Sequence, residues 1–304
     1  MVTRRAAILD VGTNTVRLLV ADCTDGVLTP VLDRTNMSRL GLGASADGTL
    51  TAESIGRTAE GAIALVQVAR AAGAATIFMV GTAAVRDAPN RATLLAWIAR
   101  ETGIACRVVD GETEASLTFL GATVGQSLDG TRAVGDIGGG STERIIAVEG
   151  AIGERVSVPL GSGRLTERTI AHDPPTDADL AAATAAAAAA FRMLPPVRAT
   201  TLLIAGGTAA ALGKLQGTAT LDEATLDAAL ATLQSVTAAV LAPKVGLEVA
   251  RVGLMAAGAI IVRALAHTCG LTAATVARGG IREGTLLAAI RGEHGFSLRE
   301  KKDD

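Results

Sequence analysis

Two short glycine turns in this chain place hydroxyl and amide groups directly after an aspartate. The first, Asp10–Thr15, has the sequence DVGTNT, and the second, Asp136–Ser141, has the sequence DIGGGS 126 residues later. Apolar residues flank both, which predicts a strand, a tight turn and a second strand in each case. Small residues let the backbone approach a ligand, and consecutive amides in a turn bind anions. The repeat therefore predicts two anion-binding turns, one in each of two similar domains.

The aspartate before each turn carries a further chemical implication. A carboxylate repels bound phosphate unless a divalent cation lies between them. Because Mg²⁺ uses one or two carboxylates together with phosphate oxygens and waters, Asp10 and Asp136 are candidate metal ligands. For either turn taken singly, an aspartate that ends a strand and binds turn amides is the alternative. Two copies with the same flanking pattern favour the ligand-binding interpretation.

Charged residues close to the glycine turns are candidates to complete a phosphate site. A guanidinium is suited to bidentate phosphate contacts, which makes Arg17, Arg39 and Arg86 candidates. Each arginine alone is also compatible with a solvated or ion-paired surface role. Glu112 and Glu114 begin a predicted helix, where a glutamate complements the helix dipole or acts as a general base that activates water. Sequence spacing alone does not choose between these two glutamates.

Glu143 and a third glycine turn extend the candidate site. Glu143 directly follows GGGST, where it would orient water or bind a metal ion through water. Ala205–Thr208 follows an apolar segment and opens a helix, so its amides are suited to a terminal phosphate or pyrophosphate. Tight packing between a strand and a helix is the alternative explanation of that turn. The three histidines have no serine or cysteine partner in a recognisable motif, which leaves triad chemistry unsupported.

The elements that must position these residues alternate between strand and helix, which predicts an α/β protein. Besides the strands around Asp10–Thr15, predicted strands are Ile77–Val80, Ala105–Val109, Arg132–Ile137, Glu143–Val148, Glu154–Val158, Leu202–Ala205 and Thr275–Ala277. Helical periodicity predicts helices at Thr51–Ala72, Arg91–Thr102, Glu112–Val124, Asp177–Arg192, Leu221–Leu241, Val249–Ala266 and Arg282–Ile290.

Composition limits the function classes that the chain can serve. Its 304 residues fit two domains, and 49% hydrophobic residues exclude a disordered protein. Basic and acidic residues nearly cancel (28 and 30) and aromatic residues make up only 2%, so we expect no nucleic-acid partner. Three widely spaced cysteines show neither zinc nor disulfide spacing. Asp10 and Arg263 interrupt the longest apolar runs, so we expect a cytoplasmic protein with no membrane partner.

Together, several motifs in a fixed order resemble those of the exopolyphosphatase/guanosine pentaphosphate phosphatase family, which lies in the actin/sugar kinase/Hsp70 superfamily. The segments that carry the resemblance are Ala6–Asp22, Ser38–Thr58, Gly81–Arg91, Asp110–Ala122, Asp136–Ile145, Val158–Arg168, Gly206–Leu215 and Gly279–Ala288. The resemblance implies an α/β fold of duplicated actin-like (ribonuclease H-like) domains with a central cleft. We expect a first lobe of residues 1–120, with residues 286–304 packing on it, and a second lobe of residues 121–285. The turns at Asp10 and Asp136 should face each other across the cleft.

The resemblance also implies roles for individual residues. The catalytic glutamate of the family precedes alanine in a Glu-Ala-x-Leu pattern, which falls on Glu114, and its second acid ends the GGGSTE motif, which falls on Glu143. The metal side falls on Asp10, Asp136 and Glu143. Phosphate-binding positions fall on Gly12, Thr13, Asn14, Arg17, Arg86, Gly138, Gly139, Gly140, Ser141 and Thr142, to which the third turn adds Gly207 and Thr208. The chain departs from the family at Ala83, where a serine is usual, and at Gly253 and Arg278, where carboxylates are usual.

The implied activity is hydrolysis of a terminal phosphoanhydride that depends on Mg²⁺, with Mn²⁺ as the alternative ion. We expect an exopolyphosphatase that acts on inorganic polyphosphate as a homodimer. Hydrolysis of the 5′ γ-phosphate of guanosine pentaphosphate is the alternative, and the scarcity of aromatic residues to stack a guanine favours polyphosphate. A catalytically weak polyphosphate or alarmone sensor and a sugar or acetate kinase of the same superfamily are further alternatives.

Overall fold

A computed structural model describes residues 3–45 and 47–298 of the chain. Its strands are β1 (Arg4–Val11), β2 (Val16–Thr24), β3 (Val27–Asn36), β4 (Thr76–Gly81), β5 (Arg107–Val108), β6 (Thr131–Ile137), β7 (Thr142–Val148), β8 (Ala151–Val158), β9 (Thr201–Ala205), β10 (Thr220–Asp222) and β11 (Ala273–Val276). Its helices are α1 (Ala52–Ala71), α2 (Ala83–Asp87), α3 (Arg91–Thr102), α4 (Gly111–Ala122), α5 (Ser162–Thr169), α6 (Asp177–Phe191), α7 (Gly207–Gln216), α8 (Glu223–Ser235), α9 (Ala238–Val245), α10 (Val249–Val252), α11 (Met255–Thr268) and α12 (Ile281–Arg291).

The chain folds as two compact units. The first unit holds the described residues up to Gly121 and those from Gly279 onward, and the second unit is Ala122–Arg278. Residues 279–285, which the sequence places in the second lobe, lie in the first unit. The reason is the packing of α12 against β1 and β2, whose alanine, isoleucine and leucine side chains share one apolar cluster with Ile281 and Leu286.

The first unit is built on a five-stranded sheet in the order β3-β2-β1-β4-β5. β1, β2 and β3 form an antiparallel meander, whereas β4 runs parallel to β1 and β5 runs parallel to β4. Because parallel strands point the same way, the carboxyl ends of β1, β4 and β5 meet at one edge of the sheet. Ligand sites of open α/β sheets lie at such edges.

The second unit repeats this topology. Its sheet has the order β10-β11-β9-β6-β7-β8, in which β6, β7 and β8 form the antiparallel meander and β9 and β11 continue in parallel. Read from the other edge, β8-β7-β6-β9-β11 matches β3-β2-β1-β4-β5 strand for strand. β10 is added antiparallel to β11. The predicted duplication of an α/β domain is therefore confirmed.

Glycines allow α12 and α4 to pack with their backbones in contact. A Cβ built on Gly284 would lie 1.7 Å from the carbonyl oxygen of Leu117, and one built on Gly121 would lie 1.9 Å from that of Gly280. Real Cβ atoms do not approach oxygen this closely, so only glycine fits at either position. The close packing anchors the helix that carries Glu114 to the C-terminal helix of the same unit.

Several elements differ from the sequence-based expectation. The single helix predicted for Val249–Ala266 is divided at Gly253 and Leu254 into α10 and α11. The single helix predicted for Leu221–Leu241 is wrong, because Leu221 lies in β10 and Val236 is extended (φ −150°, ψ 152°) between α8 and α9. β3 was not predicted, since most of its residues are exposed and it lacks a buried apolar run. α5 was not predicted either, because its eight residues carry few apolar side chains.

The segment Val249–Thr268 is long and apolar enough, by length and composition, to cross a membrane, with a mean hydropathy of 1.8. Arg263 interrupts the apolar run within this segment, as the sequence indicates, and α11 continues past it to Thr268. In the structure, 61% of the segment's apolar window is buried. Core helices meet the same criteria, and the residues of α11 lie in the apolar core of the second unit.

Candidate functional site

The turn of the first unit connects β1 to β2 at the carboxyl edge of the sheet. The Gly12 amide donates to the Thr15 carbonyl at 2.9 Å, and the amides of Gly41 and Arg39 donate to the carbonyls of Thr13 and Asn14 at 3.0 and 2.9 Å. The turn carbonyls are thus used by protein partners. Within the described ranges, the amides of Thr13 and Asn14 donate no hydrogen bond, as an anion-binding turn requires.

Arg17 lies directly across from Asp10 in the antiparallel register of β1 and β2. Directly opposed residues point to the same face and have Cβ atoms about 5 Å apart. Burial lowers the pKa of Arg17, the neighbouring Arg282 adds to the effect, and the carboxylates of Asp33 and Asp10 oppose it. A guanidinium stays charged even so. Arg17 therefore brings a positive charge to the face that carries Asp10, near the open amides of the turn.

Glu114 lies in the first turn of α4, just beyond the carboxyl end of β5. Asp110 caps this helix: its side chain accepts a hydrogen bond from the Thr113 amide at 2.7 Å, and its carbonyl accepts from the Glu114 amide at 2.9 Å. That hydrogen bond from Thr113 lowers the pKa of Asp110. Glu114 is only 9% exposed, whereas Glu112 is exposed. The two glutamates, which spacing could not separate, thus differ in burial.

Arg86, at the end of α2, holds the Glu114 carboxylate. Its Nη1 donates to Glu114 Oε2 at 2.6 Å and to the Val109 carbonyl at 3.2 Å. α2 is placed beside the first turn because the Thr82 amide donates to the Val11 carbonyl at 3.2 Å. Arg86 was predicted to bind phosphate, and that role stays a prediction. Its contacts in the structure orient a buried carboxylate.

The turn of the second unit has the same backbone. The Gly138 amide donates to the Ser141 carbonyl at 3.0 Å, and the amides of Ser162 and Arg164 donate to the carbonyls of Gly138 and Gly139, both at 2.9 Å. The amides of Gly139 and Gly140 donate no hydrogen bond to any residue that the structure describes. The second turn therefore also presents two open amides.

Asp136 and Glu143 lie directly opposite each other on β6 and β7. Both are partly exposed, and Glu143 Oε1 accepts a hydrogen bond from the Ser157 hydroxyl at 2.8 Å. A Cβ built on Gly206 would lie 2.8 Å from Asp136 Oδ1, so the backbone of the third turn closely approaches this carboxylate. With φ of +96°, Gly206 also has a conformation that favours glycine.

Two predicted phosphate-binding hydroxyls are buried in contacts with protein. Thr142 donates to the Leu160 carbonyl at 2.6 Å. Thr208 is 1% exposed, and its hydroxyl lies 3.2 Å from that of Ser162. These side chains attach the second and third turns to Leu160 and Ser162, which follow β8. The first amides of α7, at Gly207 and Thr208, are the groups of the third turn that suit an anion.

Arg251 is a cationic neighbour of the third turn that the sequence did not indicate as a site residue. A Cβ built on Gly207 would lie 3.0 Å from Arg251 Nη2, so the guanidinium covers the N-terminus of α7. Positive charge at this end of a helix opposes the helix dipole and so favours an anion there. The sequence singled out Arg251 only because Gly253 follows it where a carboxylate was expected.

The carboxylates suit a hard divalent cation, although the described residues contain no cluster of three or more histidine, cysteine, aspartate or glutamate side chains that could hold a metal ion. Asp136 and Glu143 supply two oxygen donors from directly opposed strand positions. Mg²⁺ needs no more than one or two carboxylates, since phosphate oxygens and waters complete its octahedron. The donor set therefore fits Mg²⁺, and Mn²⁺ accepts the same oxygens.

Cysteine chemistry is disfavoured throughout the described residues. Burial, the largest cause in each case, raises the pKa of Cys23 to about 11 and that of Cys106 to about 12, and it also raises the pKa of Cys269. The negative charge of Asp10 adds to the effect at Cys106. A thiol is nucleophilic only as a thiolate, so these side chains are inert near neutral pH.

The site residues of each unit lie at the carboxyl edge of its own sheet. The first unit brings together its glycine turn, Asp10, Arg17, Arg86 and Glu114, and the second unit brings together its glycine turn, Asp136, Glu143 and the third turn. The expectation that the two turns face each other across a cleft stays a prediction. Arg39, a further candidate from the sequence, is exposed and contributes its amide to the first turn.

Most of the chain is similar in sequence to known proteins. Residues 19–293 match the profile of the Ppx/GppA phosphatase family. Exopolyphosphatase 2 of Mycobacterium tuberculosis is 37% identical over 194 residues, which span 60% of this chain and 60% of that protein. A guanosine-5′-triphosphate,3′-diphosphate pyrophosphatase of Pseudoalteromonas translucida is 31% identical over 140 residues, or 46% of this chain and 28% of that protein.

The fold also has a solved counterpart. The crystal structure of an exopolyphosphatase from Cytophaga hutchinsonii superposes with a TM-score of 0.83 at 23% identity, and covers 97% of this chain and 100% of that one. This likeness confirms the fold class, an α/β protein of duplicated actin-like domains. The chain matches a little over half of the length of the M. tuberculosis relative.

Proposed function

Because the chain belongs to the Ppx/GppA phosphatase family, we propose that it hydrolyses the terminal phosphoanhydride of inorganic polyphosphate and releases orthophosphate. The observation that carries this proposal is that Glu114, a buried carboxylate, lies at the same carboxyl edge of the first-unit sheet as a turn with two open amides. A positioned base and an anion-binding turn are the two parts that phosphoryl transfer to water requires.

We assign Glu114 as the general base. The water oxygen forms a bond to the terminal phosphorus, its proton passes to the Glu114 carboxylate, and the bridging P–O bond breaks so that its electron pair stays on the shortened chain. Arg86 orients the base through its hydrogen bond of 2.6 Å. A correctly placed base contributes about 10²–10⁴-fold to such a reaction.

The turns and arginines serve to bind the phosphate chain. Amides of Thr13, Asn14, Gly139 and Gly140 are suited to phosphate oxygens because they are unused by the described protein groups. Arg17 adds a charge-assisted contact, which is roughly twice as strong as a neutral hydrogen bond. Such fixed donors stabilise charge without reorganising during the reaction.

Asp136 and Glu143 are the residues that would hold Mg²⁺, with Asp10 as the corresponding carboxylate of the first unit. When bound, the ion supplies positive charge to the phosphate oxygens that gain negative charge. Ser157 fixes the Glu143 carboxylate by its hydrogen bond of 2.8 Å, which keeps this ligand oriented. A cytoplasmic location and a homodimer stay predictions.

Hydrolysis of guanosine pentaphosphate is the second candidate function. It is favoured by the 31% identity to the pyrophosphatase of P. translucida, although that match covers only 46% of the chain. Polyphosphate is the first choice because the chain has one Trp, no Tyr and four Phe residues to stack a guanine.

The test is orthophosphate release by the native chain from long-chain polyphosphate and from guanosine pentaphosphate, each with Mg²⁺ and with a chelator. We expect turnover of polyphosphate that stops when the metal is removed. Turnover of the nucleotide alone would select the second candidate. Phosphate transfer from polyphosphate to ADP or a sugar would instead select a kinase, and binding without turnover of either substrate would select a sensor.

A further inference from the structure

Arg282, near the start of α12, donates hydrogen bonds to both carboxylate oxygens of Asp33 on β3. Its Nη1 and Nη2 donate to Asp33 Oδ1 and Oδ2 at 2.9 and 3.0 Å, and Nη1 also donates to the Leu18 carbonyl at 3.1 Å. The Arg282 side chain is 6% exposed and that of Asp33 is 51% exposed. A buried guanidinium in α12 thus holds a carboxylate at the edge of the sheet.

Arg17 lies beside this pair without joining it. The register places Arg17 opposite Thr35 and Leu19 opposite Asp33, so Asp33 is the diagonal neighbour of Arg17 on the same face. Diagonal neighbours are about 7–8 Å apart, which an arginine side chain spans. Arg17 nevertheless forms no hydrogen bond or ion pair through its side chain with any residue in the ranges 3–45 and 47–298.

We propose that Arg282 is a positioning residue, which keeps Asp33 from pairing with Arg17 and so leaves the Arg17 guanidinium available to substrate phosphate. The inference rests on the proposed function, in which Arg17 binds the phosphate chain. Arg282 has two effects in this role. It satisfies Asp33 in a bidentate pair, and its own positive charge repels Arg17 from the same carboxylate.

The charges acting on Arg17 agree with this geometry. Arg282 lowers the pKa of Arg17 and Asp33 raises it, so both groups act on the guanidinium at close range. Removal of Arg282 would leave Asp33 with an unpaired charge next to Arg17. An ion pair between Arg17 and Asp33 would then form within the protein and compete with phosphate for the same donors.

The experiment compares Arg282→Gln, Asp33→Asn and the double variant with the native chain. Inorganic tripolyphosphate serves as the binding probe in calorimetry, and KM and kcat are measured with polyphosphate. We expect Arg282→Gln to raise both Kd and KM about tenfold or more with kcat nearly unchanged. The double variant should recover most of this loss, because the competing carboxylate has been neutralised.

The matched control is Arg5→Gln. Arg5 also forms a bidentate pair, through Nε and Nη2 with Asp22 at 2.8 and 2.9 Å, at the other end of the β1–β2 hairpin. Loss of this pair should leave Kd unchanged. If Arg282→Gln does not fold, Arg282→Lys retains the charge but loses the bidentate geometry, and should raise Kd by a smaller factor that Asp33→Asn again reverses.

Two results would overturn the inference alone. One is a folded Arg282→Gln or Arg282→Lys chain that binds tripolyphosphate as the native chain does, and the other is a weakened variant that Asp33→Asn fails to rescue. A native chain that neither binds nor hydrolyses polyphosphate would overturn the proposed function and this inference with it. The native control therefore separates the two failures.

Discussion

In the first unit, the aspartate that precedes the glycine turn lies opposite an arginine, and in the second unit the equivalent aspartate lies opposite a glutamate. The pairs are Asp10 with Arg17 and Asp136 with Glu143. Both turns have the same closing hydrogen bond and the same pair of open amides. The residue on the neighbouring strand therefore sets the charge of each face. Arg17 balances the charge of Asp10, which suits phosphate, whereas Glu143 adds to the negative charge of Asp136, which suits a divalent cation.

In each unit, the segment that follows the last strand of the meander (β3 or β8) crosses the glycine turn. The space between this segment and the turn differs between the two units. Gly41 and Gly161 are the glycines at these crossings. A Cβ on Gly41 would lie 2.8 Å from the Thr13 methyl group, whereas one on Gly161 would lie 2.5 Å from the Gly138 carbonyl oxygen. A side chain can rotate away and a backbone cannot. The second turn is consequently the more rigidly enclosed of the two.

The largest effect should come from the base, which only the first unit carries. Glu114→Gln is expected to reduce turnover about 10²–10⁴-fold, because an amide does not accept the proton of the attacking water. Single-turnover phosphate release and filter binding of polyphosphate will separate catalysis from affinity. Glu112→Gln is the matched control on the same helix turn, and its exposed side chain should be dispensable. A loss in Glu112→Gln with normal turnover in Glu114→Gln would reverse the assignment.

The next effect separates the two faces by their metal requirement. Glu143→Gln should raise the Mg²⁺ concentration for half-maximal activity at least about tenfold, because a ligand oxygen is lost. Arg17→Ala should shift that concentration much less, because it removes no metal ligand. Metal titrations of both variants will check this, with Glu248→Gln, an exposed position in the second unit, as the control. Equal shifts in Glu143→Gln and Arg17→Ala would contradict the inference that the second-unit face binds the metal and the first-unit face binds phosphate.

Substitution of Arg17 should weaken the affinity of the chain for polyphosphate. Arg17→Ala is expected to weaken polyphosphate binding by about 1.5–3 kcal/mol and to make the remaining affinity less sensitive to salt. Arg86→Ala should differ from Arg17→Ala by lowering kcat, since Arg86 orients Glu114 through a hydrogen bond of 2.6 Å. Binding at several ionic strengths will be compared with Arg34→Ala, an exposed arginine on β3. An Arg17→Ala chain with native affinity at low salt would remove Arg17 from the site.

A smaller effect should show how tightly each glycine turn is enclosed by the segment that crosses it. Gly161→Ala is expected to lower the free energy of unfolding by about 1–3 kcal/mol, because its Cβ meets backbone atoms that cannot move aside. Gly41→Ala should cost less than about 1 kcal/mol, since rotation of Thr13 removes the clash. Urea unfolding of both variants provides the measurement. Equal losses would show that the first turn is held as rigidly as the second.

The smallest effect concerns the cap that positions Glu114. A hydrogen bond from Thr113 lowers the pKa of Asp110 in the folded chain, so its stabilisation is present above the unfolded pKa of about 3.9 and is lost as the pH falls through the folded value. Asp110→Asn retains a capping side chain without this titration. Between about pH 4 and pH 2, the native chain should therefore lose more free energy of unfolding than the variant. Parallel pH dependences would exclude the cap as the cause.

Local sequence patterns were sufficient to predict the duplicated turns and the strands and helices around them. Asp10–Thr15 and Asp136–Ser141 are short-range signals, in which small residues and flanking apolar runs specify a turn between two strands. The match between the sheet orders of the two units confirms that duplication. β3 escaped prediction because its exposed residues and Pro30 give no buried apolar pattern, as is common at sheet edges.

Packing decided what sequence spacing left open. Glu112 and Glu114 have the same side chain two residues apart, and only the fold of α4 buries one of them against Arg86. Likewise, Val236 interrupts a helical pattern that continues on both sides of it. Hydrophobic periodicity indicates which face of a helix or strand is apolar, but it does not indicate which part of the protein packs against that face.

Long-range contacts lie furthest from anything that the sequence specifies locally. Its glycine turns, alternating elements and charged residues specified which chemical groups are present and on which local structures they lie. The partnership of Arg282 with Asp33 joins residues 249 positions apart, and it exists because α12 returns to the sheet of the first unit through the close glycine packing against α4. No local propensity encodes such a contact. It forms because burial of the α12 face and the backbone approach at Gly284 outweigh the entropy of closing so long a loop.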